Sequence, residues 1–132
     1  MKTLVRMSII AAVLMGGAAG AHHSAAPFDQ TKVVMLVGTV KSFSYINPHS
    51  WIALEAAVDG VGELRRWDVE ATAPGVLARM GINADTLKPG EQVTVAVRPL
   101  RDGRRAGSMI YITKADGHTF GANPADLKAP AP

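Results

Sequence analysis

The sequence has 132 residues, no cysteine and a formal net charge of +3 from 14 basic and 11 acidic side chains. The missing cysteines exclude disulfides, thiolate metal sites, thiol nucleophiles and a lipid anchor attached through cysteine. The length allows one domain with a modest core. Two of the basic residues, Lys2 and Arg6, lie in a segment that we expect to be removed. The mature chain is then nearly neutral, and its charge predicts no nucleic acid partner.

The start of the chain has the three parts of a secretory signal peptide. Lys2 and Arg6 supply the positive end, and Met7–Ala19 is an uncharged, mostly apolar run. Ala19-Gly20-Ala21 provides the small residues that signal peptidase accepts. The run is shorter than the roughly 20 apolar residues that a spanning helix needs. We therefore expect cleavage after Ala21, a periplasmic or secreted protein, and no stable membrane anchor after cleavage.

The rest of the chain is predicted to contain an irregular leader over residues 22–31 and one β-rich domain over residues 32–120. The signal peptide before the leader is expected to span residues 1–21. Residues 121–132, which are rich in proline, are expected to form a disordered tail after the domain. Five segments combine β-branched or alternating apolar residues with turn signals at their ends. They are Val33–Ile46, Trp51–Val58, Leu64–Ala71, Gln92–Leu100 and Ser108–Lys114.

A short helix is predicted between the third and fourth strands. Thr72 is a suitable cap, Pro74 suits the first turn, and Gly81 suits the end. Three strands, a short helix and two strands form the element order of the OB-fold, a small five-stranded Greek-key barrel. The sequence therefore predicts a mainly β fold, a small OB-like barrel, with a sandwich or another small barrel as the alternatives.

Several segments together resemble a family of small exported bacterial proteins of unknown function. The resemblance rests on Ala21-His22-His23-Ser24 at the signal junction, Asn47-Pro48-His49-Ser50-Trp51, Leu87-Lys88-Pro89-Gly90 and Pro99-Leu100-Arg101-Asp102-Gly103. It covers nearly the whole mature chain and implies export and a common fold. It implies no activity and no catalytic residues.

Cleavage after Ala21 would make His22 the first residue. The free amine and Nδ1 of His22 can chelate one metal ion, and a second imidazole completes a nitrogen-only site of the kind that copper accepts. His23 is adjacent, and His49 and His118 are candidates to approach in space, of which we favour His23 and His49. Amine deprotonation makes such binding weaker at acid pH. The alternative is that these histidines are simply exposed polar residues after a signal site.

The segment Asn47-Pro48-His49-Ser50-Trp51 is the second candidate feature. His49 shares strand parity with Trp51, so both side chains are predicted on one face. One interpretation is a ligand or metal site beside the indole ring of Trp51. The other is a structural corner between two strands, in which Asn47 caps the turn and Trp51 packs.

A run of arginines surrounds the turn before the predicted fifth strand. Its members are Arg98, Arg101, Arg104 and Arg105. This run could bind an anionic ligand, although such runs are more often solvated hairpin tips. It lacks the interleaved aromatic residues that stack on nucleic acid bases.

The function predicted from the sequence is a periplasmic binding protein, with copper as the candidate cofactor and His22, His23 and His49 as metal ligands. The alternative is a metal-free envelope interaction module that binds a protein partner or an anionic ligand through Trp51 and the arginine-rich loop. No catalytic constellation is evident, because His49 and Ser50 are neighbours whose side chains point apart on a strand. We therefore expect a protein that is not an enzyme.

Overall fold

The computed structural model describes residues 27–127. The predicted signal peptide, His22, His23 and the last five residues lie outside the described residues. The elements are β1 (Val34–Ser44), β2 (Trp51–Val58), β3 (Arg65–Glu70), α1 (Pro74–Arg79), β4 (Gln92–Pro99), β5 (Ala106–Lys114), β6 (Thr119–Gly121) and a 3₁₀ turn (Pro124–Asp126).

The strands form one sheet in the order β3-β2-β1-β4-β5-β6, and a parallel pairing of β3 with β5 closes it. Closure runs through the pairs Asp68–Ala106, Val69–Gly107 and Glu70–Ser108. The fold is thus mainly β: β1 to β5 form a closed five-stranded OB-like barrel, with one short helix between the third and fourth strands, and β6 pairs with β5 beside the closure. The predicted fold class is confirmed. Within residues 27–127, no helix is long and apolar enough to cross a membrane.

The long first strand pairs with two neighbours and carries a bulge. β1 pairs with β4 from Val34 to Thr39 and with β2 from Leu36 to Ser44. A register shift between Val40 and Ser42 marks a bulge, which sharpens the local twist. At Gly38, a Cβ atom would lie 2.1 Å from the carbonyl oxygen of Glu55. Glycine is therefore required for β1 and β2 to approach each other at this position.

The barrel interior is filled by the alternate, inward-facing residues of the strands. Ile52, Leu54 and Ala56 of β2 are buried, as their alternation predicts. Leu77 of α1 is fully buried and covers one end of this core. The hydroxyl of Tyr45 donates to the carbonyl oxygen of Pro74 at 2.9 Å, which ties the start of the helix to the end of β1.

The ends of the domain differ from the predicted boundaries. Phe28, in the predicted irregular leader, is buried and forms a β-bridge with Leu100 after β4. At the other end, β6 reaches Gly121 and a 3₁₀ turn follows, inside the segment predicted as a disordered tail. The side chain of Asn123 accepts a hydrogen bond from the Ala125 amide at 3.0 Å and so caps that turn. Phe28 is thus held by the segment after β4, whereas β6 pairs with β5, the strand that precedes it in the sequence.

Candidate functional site

An open cleft of about 610 Å³ lies on the barrel wall where β3, β5 and β4 end beside α1. The β1–β2 loop contributes Pro48 and His49, and the chain before β1 contributes Pro27, Phe28 and Gln30. A volume of this size is typical of sites for small ligands. The cleft therefore joins the two segments on which the sequence hypotheses depend, the His49 loop and the start of the mature domain.

A single row of four directly paired residues crosses the strands, and three of them, Glu70, Ser108 and Arg98, line the cleft. Trp51 is paired with Glu70, Glu70 with Ser108, and Ser108 with Arg98. Because directly paired residues of neighbouring strands present their side chains on the same face, the row carries an indole, a carboxylate, a hydroxyl and a guanidinium side by side. The parallel closure of β3 against β5 creates this arrangement.

His49 and Glu70 form an ion pair in the cleft, between Nδ1 of the imidazole and Oε1 of the carboxylate. Both side chains are about three quarters buried, with 27% and 22% of their surface exposed. Backbone hydrogen bonds around Ser50 position the pair: the Ser50 amide donates to Thr72 and the Ala71 amide donates to Ser50. These bonds continue the pairing of β2 and β3 beyond Trp51, so that His49 lies beside Glu70. A cis peptide bond joins Asn47 to Pro48 immediately before it.

The His49–Glu70 pair fixes which imidazole nitrogen faces the carboxylate. In the neutral form, a carboxylate that accepts from Nδ1 favours the tautomer with its proton on Nδ1 and its lone pair on Nε2. Metal-binding histidines in proteins are commonly oriented by such a second hydrogen bond. The pair is therefore suited to presenting Nε2 as a nitrogen ligand.

Arg98 is the member of the arginine run that lines the cleft. Its Nη1 donates to the carbonyl oxygens of Gln30 and Lys32, which belong to the chain entering β1. The guanidinium is thereby held by main-chain atoms rather than by a flexible side chain. The leader and β4 are joined by the same contact.

The other arginines do not converge on the cleft. Arg104 pairs with Asp102 at 2.8 Å within its own turn, and Arg101 lies 3.9 Å from Asp29. Two hydrogen bonds from Arg104, the first from its backbone amide, lower the pKa of the Asp102 carboxyl. Arg105 is exposed and does not line the cleft. The loop is thus a set of separate local contacts and not one basic pocket.

Two further sequence candidates lie away from the cleft. Trp51 belongs to the row of paired residues, but its side chain is on the outer face of β2 with 41% of its surface exposed. His118 lies in the turn before β6, where its ring packs on Phe120 with a centroid distance of 4.3 Å. The structure therefore brings His49 and Arg98 into one cleft and leaves Trp51 beside it and His118 elsewhere.

His22 and His23 lie outside the described residues, but the described chain begins at the cleft. Pro27 lines the cleft, and its carbonyl oxygen accepts from the amide of Arg101 at 2.9 Å. Among residues 27–127, no three histidine, cysteine, aspartate or glutamate side chains are grouped as metal ligands.

Sequence reasoning did not select Glu70 or Ser108 as site residues. Nothing in the sequence pairs Glu70 with His49. The available signal was the polar residue at the end of the third strand, just before the helix. The position of Glu70 beside Ser108 depends on the parallel β3–β5 pairing, which a local pattern does not predict.

Comparison with known proteins gives one match. A family model described as a family of unknown function (DUF6152) matches residues 11–109. No curated protein and no solved structure matches the chain. The expectation of an uncharacterised family is confirmed, whereas export stays a prediction.

Proposed function

The chain belongs to this family of unknown function, and because the family brings no activity with it, we propose from the cleft that the protein is an exported copper-binding protein. The observation that carries the proposal is the His49–Glu70 pair inside a cleft where the described chain begins. Copper would be held by the amino-terminal amine and imidazole of His22 together with Nε2 of His49. His23 is a further nitrogen ligand within the same segment.

The chain is long enough for this arrangement. His23 precedes Pro27 by four residues and His22 by five. Since an extended chain spans at most about 3.6 Å per residue, these histidines reach roughly 14 to 18 Å from Pro27. Pro27 and His49 line the same cleft.

The donor set favours copper over harder ions. Amine and imidazole nitrogens suit Cu(II), which binds a given nitrogen site more tightly than the other divalent first-row metals. Calcium and magnesium prefer oxygen ligands. Glu70 acts as the residue that orients His49, because its carboxylate is already engaged with Nδ1. The proposal also requires export and cleavage after Ala21, since only then does His22 carry a free amine.

The test begins with mass spectrometry of the exported protein, which is expected to show His22 as the first residue. Copper affinity is then measured by competition with a chromophoric chelator. His49→Gln is expected to weaken binding at least tenfold, and so is one extra residue before His22.

His118→Gln is the matched control, because His118 packs on Phe120 outside the cleft, and it should bind copper as the native protein does. Equal affinity in the native protein and His49→Gln would overturn the role of the cleft. Absence of copper binding by the correctly processed protein would overturn the whole proposal.

A further inference from the structure

Arg98 places positive charge in the wall of the cleft. Its Nη1 is held by the carbonyl oxygens of Gln30 and Lys32, and the guanidinium carries further N–H donors on Nε and Nη2. Among the side chains that the structure describes, no carboxylate forms an ion pair with Arg98. Main-chain carbonyls hold the group in place without neutralising it. Arg98 therefore attracts an anion, and its guanidinium is already held in a fixed orientation before the anion binds.

The rest of the cleft is mostly apolar. Val76 and Met80 of α1 and Ile110 of β5 line it, and Met109 lines it while packing against the core. Met80 keeps 40% of its surface exposed at the end of the helix. Flexible methionine side chains adapt to ligands of different shape. A ligand that fills this cleft therefore needs an apolar body as well as a negative group.

Glu70 limits how much negative charge the ligand can carry. It is separated from Arg98 by one residue of the row, Ser108. Since neighbouring strands lie about 4.8 Å apart, the Cα atoms of Glu70 and Arg98 are roughly 10 Å apart. A second negative charge on the ligand would approach the Glu70 carboxylate. The row thus favours a monoanion over a dianion such as phosphate.

We propose that the cleft binds a small organic monocarboxylate with an apolar body, whose carboxylate pairs with Arg98 and accepts from the Ser108 hydroxyl. The apolar body lies against Val76, Met80 and Ile110. This site goes beyond copper binding, because it uses none of the proposed copper ligands. Copper at the His49 rim and a carboxylate at Arg98 occupy different parts of the cleft.

The probe is octanoate, added to the exported protein after metal removal with EDTA and followed by amide NMR shifts. Saturable shifts are expected at the amides of Ser108 and Ile110. Octanol, which has the same apolar length without the charge, and inorganic phosphate, which has charge without the apolar body, are each expected to bind at least tenfold more weakly. Equal binding of octanoate and octanol would overturn the role of Arg98, and tighter binding of phosphate would overturn the ligand class.

Variants separate this site from the copper site. Arg98→Gln is expected to weaken octanoate binding about tenfold or more, and Arg65→Gln is the control, because Arg65 pairs with Glu63 at the far end of β3. Arg98 also joins the leader to β4, so Met80→Glu serves as a second variant at an exposed position and should likewise weaken binding. His118→Gln, at a ring that packs on Phe120 outside the cleft, should leave octanoate binding unchanged. Native affinity in both Arg98→Gln and Met80→Glu would refute the carboxylate site whatever the result with copper.

Discussion

Glu70 and Arg98 lie on opposite sides of Ser108 in one row that crosses three strands of the barrel. The two charges belong to the strands before and after α1, and they share a wall only because β3 pairs in parallel with β5. Each is held by a different neighbour, Glu70 by His49 and Arg98 by main-chain carbonyls. The cleft is therefore divided into a histidine–carboxylate end and a cationic end.

Removal of the Glu70 carboxylate should weaken copper binding without unfolding the barrel. Because Glu70 orients His49 and is not itself a ligand, Glu70→Ala is expected to lose between about tenfold and a hundredfold in affinity, as is typical of such supporting residues. Glu70→Gln keeps an oxygen that can accept from Nδ1, so its loss should be smaller. Chelator competition at constant pH measures both.

Asp68→Asn is the matched control for Glu70. Asp68 is the preceding carboxylate on the same face, but it accepts from Arg66 at 2.8 Å instead of from His49. Its substitution should leave copper affinity within about twofold of the native value. A loss equal to that of Glu70→Ala would mean that general negative charge, and not the orientation of His49, is what matters.

The sequence predicts the barrel better than it predicts the site. The alternation Ile52, Leu54, Ala56 determines which face of β2 is buried, and the order of strands and helix along the chain follows from such local patterns. The contact of His49 with Glu70 is different in kind. It depends on the register of β2 against β3 beyond Trp51, where backbone bonds at Ser50 extend the pairing. No spacing along the chain encodes that register.

The arginine run shows that residues close together in the sequence can lie apart in the structure. Four arginines close together in the sequence suggest one basic surface, yet Arg98 faces the cleft while Arg104 pairs with Asp102 in the next turn. Strand alternation and the tight turn after Leu100 send neighbouring side chains in different directions. Clustering in sequence is therefore a poor guide to clustering on a β-barrel surface.

Ser50→Ala should leave the protein as stable as the native form or stabilise it by up to about 1 kcal/mol. Ser50 is fully buried, and its Oγ has no hydrogen-bond partner among the described residues. A buried hydroxyl that loses its bonds to water without replacing them costs roughly 1–3 kcal/mol. Urea unfolding measures the change, with the exposed Ser42→Ala as the control. A loss above about 1 kcal/mol in Ser50→Ala would show that the hydroxyl has a stabilising partner.

Gly38→Ala should destabilise the barrel by at least about 2 kcal/mol, because the new methyl group would overlap the backbone of β2. The Cβ would lie 2.1 Å from the Glu55 carbonyl oxygen and 2.5 Å from Cα of Ala56. Gly75→Ala is the control, since a Cβ there meets nothing within 4 Å and alanine favours the helix. Thermal unfolding should show a much lower melting temperature for Gly38→Ala and no decrease for Gly75→Ala. Similar melting temperatures would mean that β1 and β2 can separate at Gly38 without loss.

Because of Glu91, the stability of the barrel should decrease at acid pH. Its carboxylate accepts from the Lys88 amide at 3.1 Å and pairs with Lys114 at 3.1 Å. The Lys88 hydrogen bond is the main cause that lowers the pKa of Glu91 below its ordinary value of 4.5, with Lys114 adding to it. Since the folded pKa is the lower one, the stabilisation is complete above pH 4.5 and is lost as the pH falls through the folded pKa.

Glu91→Gln removes this titration. At pH 7 the variant is expected to be less stable than the native protein, by up to about 1 kcal/mol for a partly exposed ion pair. Between pH 7 and pH 3 this difference should narrow, because protonation of native Glu91 at pH values below 4.5 removes the advantage of its carboxylate. Urea unfolding at both pH values measures the difference. A gap that stays constant from pH 7 to pH 3 would show that Glu91 contributes through packing or hydrogen bonding that does not depend on its charge.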